Sequence, residues 1–176
     1  MKQLAIFRHA KSDWGNPGLT DFDRPLNKRG RKAAKKVGRE LKSRGLALDQ
    51  IVCSPATRAK ETVERFAVGY ESVPAVSYEP KLYMCSTGTL IEIINALPDE
   101  AGTVMIVGHN PGFHDIVLRM TRPDGNGMRE KVGAYYPTGA FALIDFAVGS
   151  WAEVERATGE IRQVIFPREL RRPEEY

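Results

Sequence analysis

The sequence predicts an α/β fold of three layers, α/β/α, with a mostly parallel central sheet and helices on both faces. Three observations carry that reading. Short apolar runs at residues 4–7, 51–53 and 103–107 stop abruptly at polar residues, as buried strands do where they reach a sheet edge. Each run is followed by a segment suited to a helix, and strands alternating with helices argue for a parallel sheet covered on both sides. With 176 residues, 42% of them hydrophobic, the chain fits one domain, residues 1–176, large enough to form a core without metals or disulfides.

Taken in order, the first run ends at Arg8-His9. Residues 13–26 hold Gly15, Asn16, Pro17, Gly18 and Pro25, and so read as a loop lying over that strand end. Asp21, Asp23 and Arg24 would order it by ion pairs or fix a partner. Asn27 is a helix N-cap and Gly45 a C′ residue, with Ala33 or Ala34, Val37 and Leu41 recurring at helical spacing between them. After the second run, broken by Ser54-Pro55, residues 56–69 suit a helix with Arg58 in its first turns. A strand near 75–78 and a helix over 87–97 follow, the helix capped by Ser86 or Thr87 and stopped by Pro98. The third run, 103–108, leads into a helix over 112–120. Residues 122–137, rich in Gly and charge, read as a mobile loop. Residues 140–146, 151–155 and 161–166 read as late strands that add an antiparallel edge, the last two as a hairpin around Thr158-Gly159.

The net charge of +4 hides an asymmetry. Residues 1–65 hold 16 Lys and Arg against 7 Asp and Glu, a balance of +9, which leaves −5 for the remainder. A basic half suits an anionic substrate drawn in by the local field. Lys28, Arg29, Arg31, Lys32, Lys35 and Lys36 could instead contact nucleic-acid phosphates. No aromatics interleave with them and apolar residues recur behind them, so they read as the solvated face of an amphipathic helix, without nucleic acid. Cys53 and Cys85 have no metal-ligand spacing, and Cys53 reads as a small core residue. No apolar stretch approaches a membrane span, and the run before Arg8 is too short for a signal segment, so a cytoplasmic protein is expected.

The three strand ends collect Arg8, His9, Arg58 and His109 at one sheet edge, where open α/β sheets bind ligands. Arg offers a planar fork matched to phosphate oxygens. Neutral imidazole can attack phosphorus through a ring nitrogen. An Arg-His pair alone is nonspecific, and an ordinary strand end with a hydrogen-bonded His would look the same.

The wider pattern is more specific. Arg8-His9-Ala10-Lys11-Ser12, then Asp21-Phe22-Asp23-Arg24-Pro25-Leu26, Ser54-Pro55 with Arg58-Ala59 and Thr62, and Val107-Gly108-His109-Asn110-Pro111-Gly112 occur in this order. In these motifs the chain resembles the histidine phosphatase (phosphoglycerate mutase-like) superfamily, and within it the SixA-type phosphohistidine phosphatases; the resemblance extends to residues 161–170. It implies that His9 is the nucleophile that becomes a phosphohistidine. Arg8, Arg58 and His109 would surround the transferring phosphoryl group and stabilise its charge, with His109 most useful protonated, as a nearby phosphate favours. Relatives carry a Ser near the phosphate, which makes Ser12 a substrate-binding residue; a local turn Ser is the alternative. No metal or other cofactor is expected, since cationic side chains supply the positive charge. His114, five residues after His109, would not share its helix face.

One departure bears on the substrate. The resemblance leads one to expect a proton-donating Glu, in mutase-like members, or an Asp directly after the second His, in acid phosphatases. This chain has Leu82-Tyr83-Met84-Cys85 in the first place and Asn110 in the second. An alkoxide leaving group needs a proton in the transition state, an effect of roughly two to four orders of magnitude in rate. A protonated phosphoimidazole departs as a neutral molecule and needs less help. Glu79, Asp13 and Asp23 remain as carboxylates that could fold into reach. The expected activity is metal-independent removal of phosphate from phosphohistidine on a protein. The alternatives are a phosphatase for a small phosphorylated metabolite and a noncatalytic module that holds a phosphorylated partner.

Overall fold

In the computed structural model, which describes residues 1–170, Leu4, Ala5, Ile6 and Phe7 are fully buried in strand β1 (Lys2–Arg8). Residues 171–176 of the predicted domain lie outside the described residues. Alternate strand residues face opposite sides, so β1 feeds two cores. Leu4 and Ile6 pack in one core, and Ala5 and Phe7 in the other. The second core is closed by Val37 and Leu41 of α1 (Lys28–Ser43) and by Val63 and Phe66 of α2 (Thr57–Tyr70). On the opposite face lie Leu90 and Ile94 of α3 (Thr87–Asn95), Phe113 and Ile116 of α4 (Gly112–Met120), and Val132 of α5 (Met128–Ala134). Three layers follow from that alternation.

The sheet runs β3-β2-β4-β1-β5-β6, with β2 (Gln50–Cys53), β3 (Val76–Tyr78), β4 (Thr103–Gly108), β5 (Phe141–Phe146) and β6 (Glu160–Ile165). β1, β2, β3 and β4 are parallel, while β5 is antiparallel to β1 and to β6. Arg8 pairs in register with Gly108, and Cys53 with Val107. The carboxyl ends of β1, β2 and β4 therefore coincide, and with them the three polar clusters.

Two close approaches fix the helices relative to that edge. A Cβ on Gly38 would lie 2.3 Å from the Phe66 carbonyl oxygen, and one on Gly69 would lie 2.1 Å from the Lys35 oxygen, so α1 and α2 touch backbone to backbone. Gly30 meets the carbonyl of Lys11 in the same way. The start of α1 is thus pressed against the segment that follows His9. Asn27 caps α1 through Oδ1, which accepts from the Gly30 amide at 2.8 Å, and Gly45 leaves the helix with φ +74°. Ser86, of the two expected caps, begins α3.

The expectations for the last third of the chain need correction. Residues 122–137 are not all loop, since they contain α5. Its single buried residue, Val132, leaves no periodic apolar pattern in the sequence, and the helix is started instead by local bonds from the Met128 and Arg129 amides to the side chains of Asn126 and Asp124. Residues 151–155 do not form a strand. Trp151–Glu153 is a 3₁₀ turn capped by Ser150, in which Trp151 is buried and its indole donates to the Ala101 carbonyl at 2.7 Å. β6 consequently pairs with β5 rather than forming the expected hairpin with 151–155.

Candidate active site

Arg8 and His9 stand where β1 ends, and there consecutive side chains can both turn into one pocket. The His9 amide donates to the Gly108 carbonyl at 2.9 Å, and the Ser54 amide donates to the Val107 carbonyl at 2.9 Å, which ties the three strand ends together. The Ala10 amide donates to Thr62 Oγ1 at 3.0 Å, and that hydroxyl donates to the Arg58 carbonyl at 2.6 Å. The His9 loop and the first turn of α2 are therefore a bonded unit.

The His9 ring is 7% exposed, and its Nδ1 lies 2.7 Å from the Ala10 carbonyl oxygen. A carbonyl only accepts, so Nδ1 carries the proton and Nε2 presents a lone pair. The Arg58 Nε–H points at that Nε2 from 3.4 Å. Burial, reinforced by His109, Arg58 and Arg8 and opposed by the bond to Ala10, pushes the pKa of His9 down to about 3. At neutral pH the ring is neutral, in a single tautomer.

His109 sits 5.2 Å from His9 between ring centroids and is 3% exposed. Its Nε2 lies 2.8 Å from Ser54 Oγ, while Nδ1 has no hydrogen-bond partner among the described residues. Burial first, then the nearby Arg58, lowers its pKa to about 3, with Asp21 acting in the opposite sense. With these neighbours alone His109 is neutral, so the protonated form expected from the sequence requires an added negative charge. Arg8 donates from Nη1 to the Tyr136 carbonyl at 2.9 Å and keeps its Nε unpartnered among the described residues. Burial and the proximity of Arg58 also lower its pKa.

Asp21, expected to order its loop through ion pairs, does pair with Arg24 and also organises the cationic side of the site. Asp21 accepts from Arg58 Nη2 at 3.0 Å through Oδ2 and from Arg24 Nη2 at 2.9 Å through Oδ1. Its carbonyl takes Arg58 Nη1 at 2.5 Å, and the Tyr83 hydroxyl donates to Oδ2. These bonds, with that of Tyr83 first, hold the carboxyl well below the usual carboxylate range. Arg24 also stacks 3.6 Å above the Trp14 ring and donates to Ser12 Oγ. Ser12 is thus buried as an acceptor for Arg24 and bridges to Leu26.

Arg8, His9, Arg58 and His109 are brought together. Ser12 joins them through Arg24 and Asp21. Tyr83 and Ser54 complete the lining, the Tyr83 ring meeting His109 edge-on at 5.4 Å. Tyr83 stands in the stretch where the resemblance led one to expect a Glu, and its phenol pKa is raised by burial and by Asp21. The other carboxylates considered are held in local turns, Asp13 by the Gly15 amide, Asp23 by Thr20 and Glu79 by the Lys81 amide. Asn110 bonds the Tyr136 carbonyl and the His114 amide, and His114 is satisfied by the Val132 carbonyl. No group of three or more His, Cys, Asp or Glu suited to a metal ion occurs among the described residues.

A covered sheet whose carboxyl edge presents two neutral imidazoles among buried guanidinium groups defines an α/β protein built to take an oxyanion and attack it. Comparison with known proteins makes the class definite. The sequence model of the histidine phosphatase superfamily (branch 1) matches residues 4–92. An uncharacterised protein of Mycobacterium tuberculosis is 35% identical over 150 residues, which cover 84% of this chain and 91% of that protein. The solved structure of a candidate phosphohistidine phosphatase SixA from Nakamurella multipartitia is 26% identical, covers 94% of this chain and 96% of its own, and superposes with a TM-score of 0.81. A similar candidate SixA from Agrobacterium tumefaciens is 25% identical, with 94% and 98% coverage and a TM-score of 0.78. The chain belongs to the histidine phosphatase superfamily and is a phosphatase.

Proposed function

We propose that the protein removes phosphate from phosphohistidine on a protein, without a metal, through a phosphohistidine formed on His9. The observation that carries this reading is the state of Asp21, the one carboxylate that contacts the site among the described residues. Asp21 is kept ionised by Tyr83, Arg24 and Arg58, so it has no proton to give at neutral pH. A substrate whose leaving group needs no proton suits such a site.

In the first step the Nε2 lone pair of His9 attacks phosphorus in line. The P–N bond of the substrate breaks, and its already protonated imidazole takes the bonding electrons and departs neutral. His9 keeps its Nδ1 proton on the Ala10 carbonyl, so the phosphorylated ring is itself cationic. Arg8, Arg58 and His109 stabilise the charge spread over the equatorial oxygens. The phosphoryl group raises the proton affinity of His109, against the burial and the Arg58 charge that lower it in its own surroundings. In the second step water attacks phosphorus and releases a proton to solvent, and His9 leaves as the neutral ring it began as. A ring whose pKa is pushed down to about 3 is a good leaving group in that step.

The test is phosphate release by wild-type and His9→Ala protein, in the presence of EDTA, from a phosphohistidine-bearing protein and from an alkyl ester, glycerol phosphate, whose alkoxide must be protonated to leave. Fast release from the first, slow release from the second and loss of both in His9→Ala is the expected result. Comparable rates on the ester would assign the protein to small phosphomonoesters.

A further inference from the structure

The reaction at His9 leaves unused the densest run of charge in the chain. α1 carries eight Lys or Arg against one acid, Glu40, and Glu40 is taken by Arg44. Arg29, Lys32 and Lys36 recur at helical spacing on one face of α1. With Lys11, Arg168 and Tyr135 they line a single groove. None of these five cations forms an ion pair among the described residues, and the nearby Glu169 is paired with Lys131.

The groove starts at the rim of the active site. Phe7 pairs with Phe141 and Phe141 with Ile165, so the chain entering β5 and the chain leaving β6 lie at the edge where His9 emerges. The Gly139 amide donates to the His9 carbonyl at 2.9 Å, and a Cβ on Gly139 would lie 2.8 Å from Pro167, which sits next to Arg168. Lys11 is two residues beyond His9, and its carbonyl accepts from the Asn27 amide at 2.9 Å at the start of α1. The groove therefore borders the segment that carries His9.

From this juxtaposition we infer that the groove of Lys11, Arg29, Lys32, Lys36 and Arg168 is a docking surface for acidic residues that flank the phosphohistidine of a protein substrate. The inference rests on the function proposed above. Five cations held together repel one another, and opposite charge on a partner relieves this and speeds productive encounter. A protein fits better than nucleic acid. The groove adjoins a site that acts on a side chain, and it holds a single aromatic ring, Tyr135, with Arg168 5.0 Å from its centroid, too few for successive bases to stack on.

The test uses two synthetic phosphohistidine peptides, one with Glu residues on both sides and one with Ser and Gly. The fourfold variant Arg29→Gln, Lys32→Gln, Lys36→Gln, Arg168→Gln is compared with a variant carrying Arg39→Gln, Arg65→Gln, Arg119→Gln and Arg156→Gln, which loses the same charge away from the groove. At low salt, wild-type kcat/KM should favour the acidic peptide by about tenfold or more, chiefly through KM. The groove variant should lose that preference and the control should retain most of it, with the neutral peptide turned over alike by all three. Anisotropy of the labelled, unphosphorylated acidic peptide measures docking without turnover. Tighter binding to wild-type than to the groove variant supports the surface even if neither peptide is hydrolysed, a result that would sink only the proposed function. Equal losses in both variants, no preference in wild-type, or groove-dependent binding of a duplex or single-stranded oligonucleotide with no effect on the peptides would overturn the inference.

Discussion

Asp21 grips Arg58 twice, by its carboxylate at 3.0 Å and by its backbone carbonyl at 2.5 Å. The loop over the site is thereby fastened to the guanidinium that faces His9 Nε2 at 3.4 Å. Asp21 aims the fork of Arg58 and, as an anion beside it, competes with phosphate for the same charge. Asp21→Asn should therefore lower kcat by about tenfold through misalignment while tightening competitive inhibition by inorganic phosphate. Steady-state kinetics with added phosphate separate the effects. Unchanged kcat with unchanged phosphate inhibition would show that the grip has no part in the reaction.

Arg58 should not be replaceable by Lys. Its Nε addresses His9 while both Nη atoms address Asp21, a division of donors that a single ammonium cannot copy. Arg58→Lys is expected to cost about two orders of magnitude in kcat/KM. Activity within threefold of wild-type would mean that charge alone suffices.

Stability should fall on mild acidification. His9 and His109 have folded pKa values of about 3, well below the roughly 6.5 of an unfolded His. The folded state binds fewer protons, so the stabilisation is present in full above about pH 6.5 and drains away as pH falls toward about 3, by up to roughly 1.4 kcal/mol per pH unit for each ring. Urea unfolding between pH 7.5 and 5 measures the slope, and the double variant His9→Asn, His109→Asn should flatten it. An identical slope in that variant would place the titration elsewhere.

The contact of α1 with α2 permits no side chain at its closest points. Gly69→Ala puts a methyl 2.1 Å from the Lys35 carbonyl oxygen, and neither backbone can yield without moving a helix. A loss of about 1–3 kcal/mol or more is expected in urea unfolding. Retained stability would mean that the helices slide apart without cost.

The strand ends were legible in the sequence because each is a local event, an apolar run cut by polar residues, and parallel pairing then aligns them without further information. That is why Arg8, His9, Arg58 and His109 could be named from the chain alone and are found together. Asp21 and Tyr83 were not legible as site residues. They meet from positions 62 residues apart in sequence, and neither carries a local pattern that announces the other. α5 and the 3₁₀ turn at Trp151 were missed for a related reason. Each is fixed by one buried side chain and a few capping bonds, which leaves nothing periodic to read.

With Nδ1 committed to the Ala10 carbonyl, the proposed attack by His9 proceeds through Nε2. Wild-type protein reacted briefly with a phosphohistidine peptide, quenched in base and digested should be examined by NMR and mass spectrometry for phosphate on the His9 peptide. The expected result is an acid-labile phosphoryl group on His9, at Nε2. A phosphoryl group at Nδ1, on another residue, or on none while turnover proceeds would contradict it.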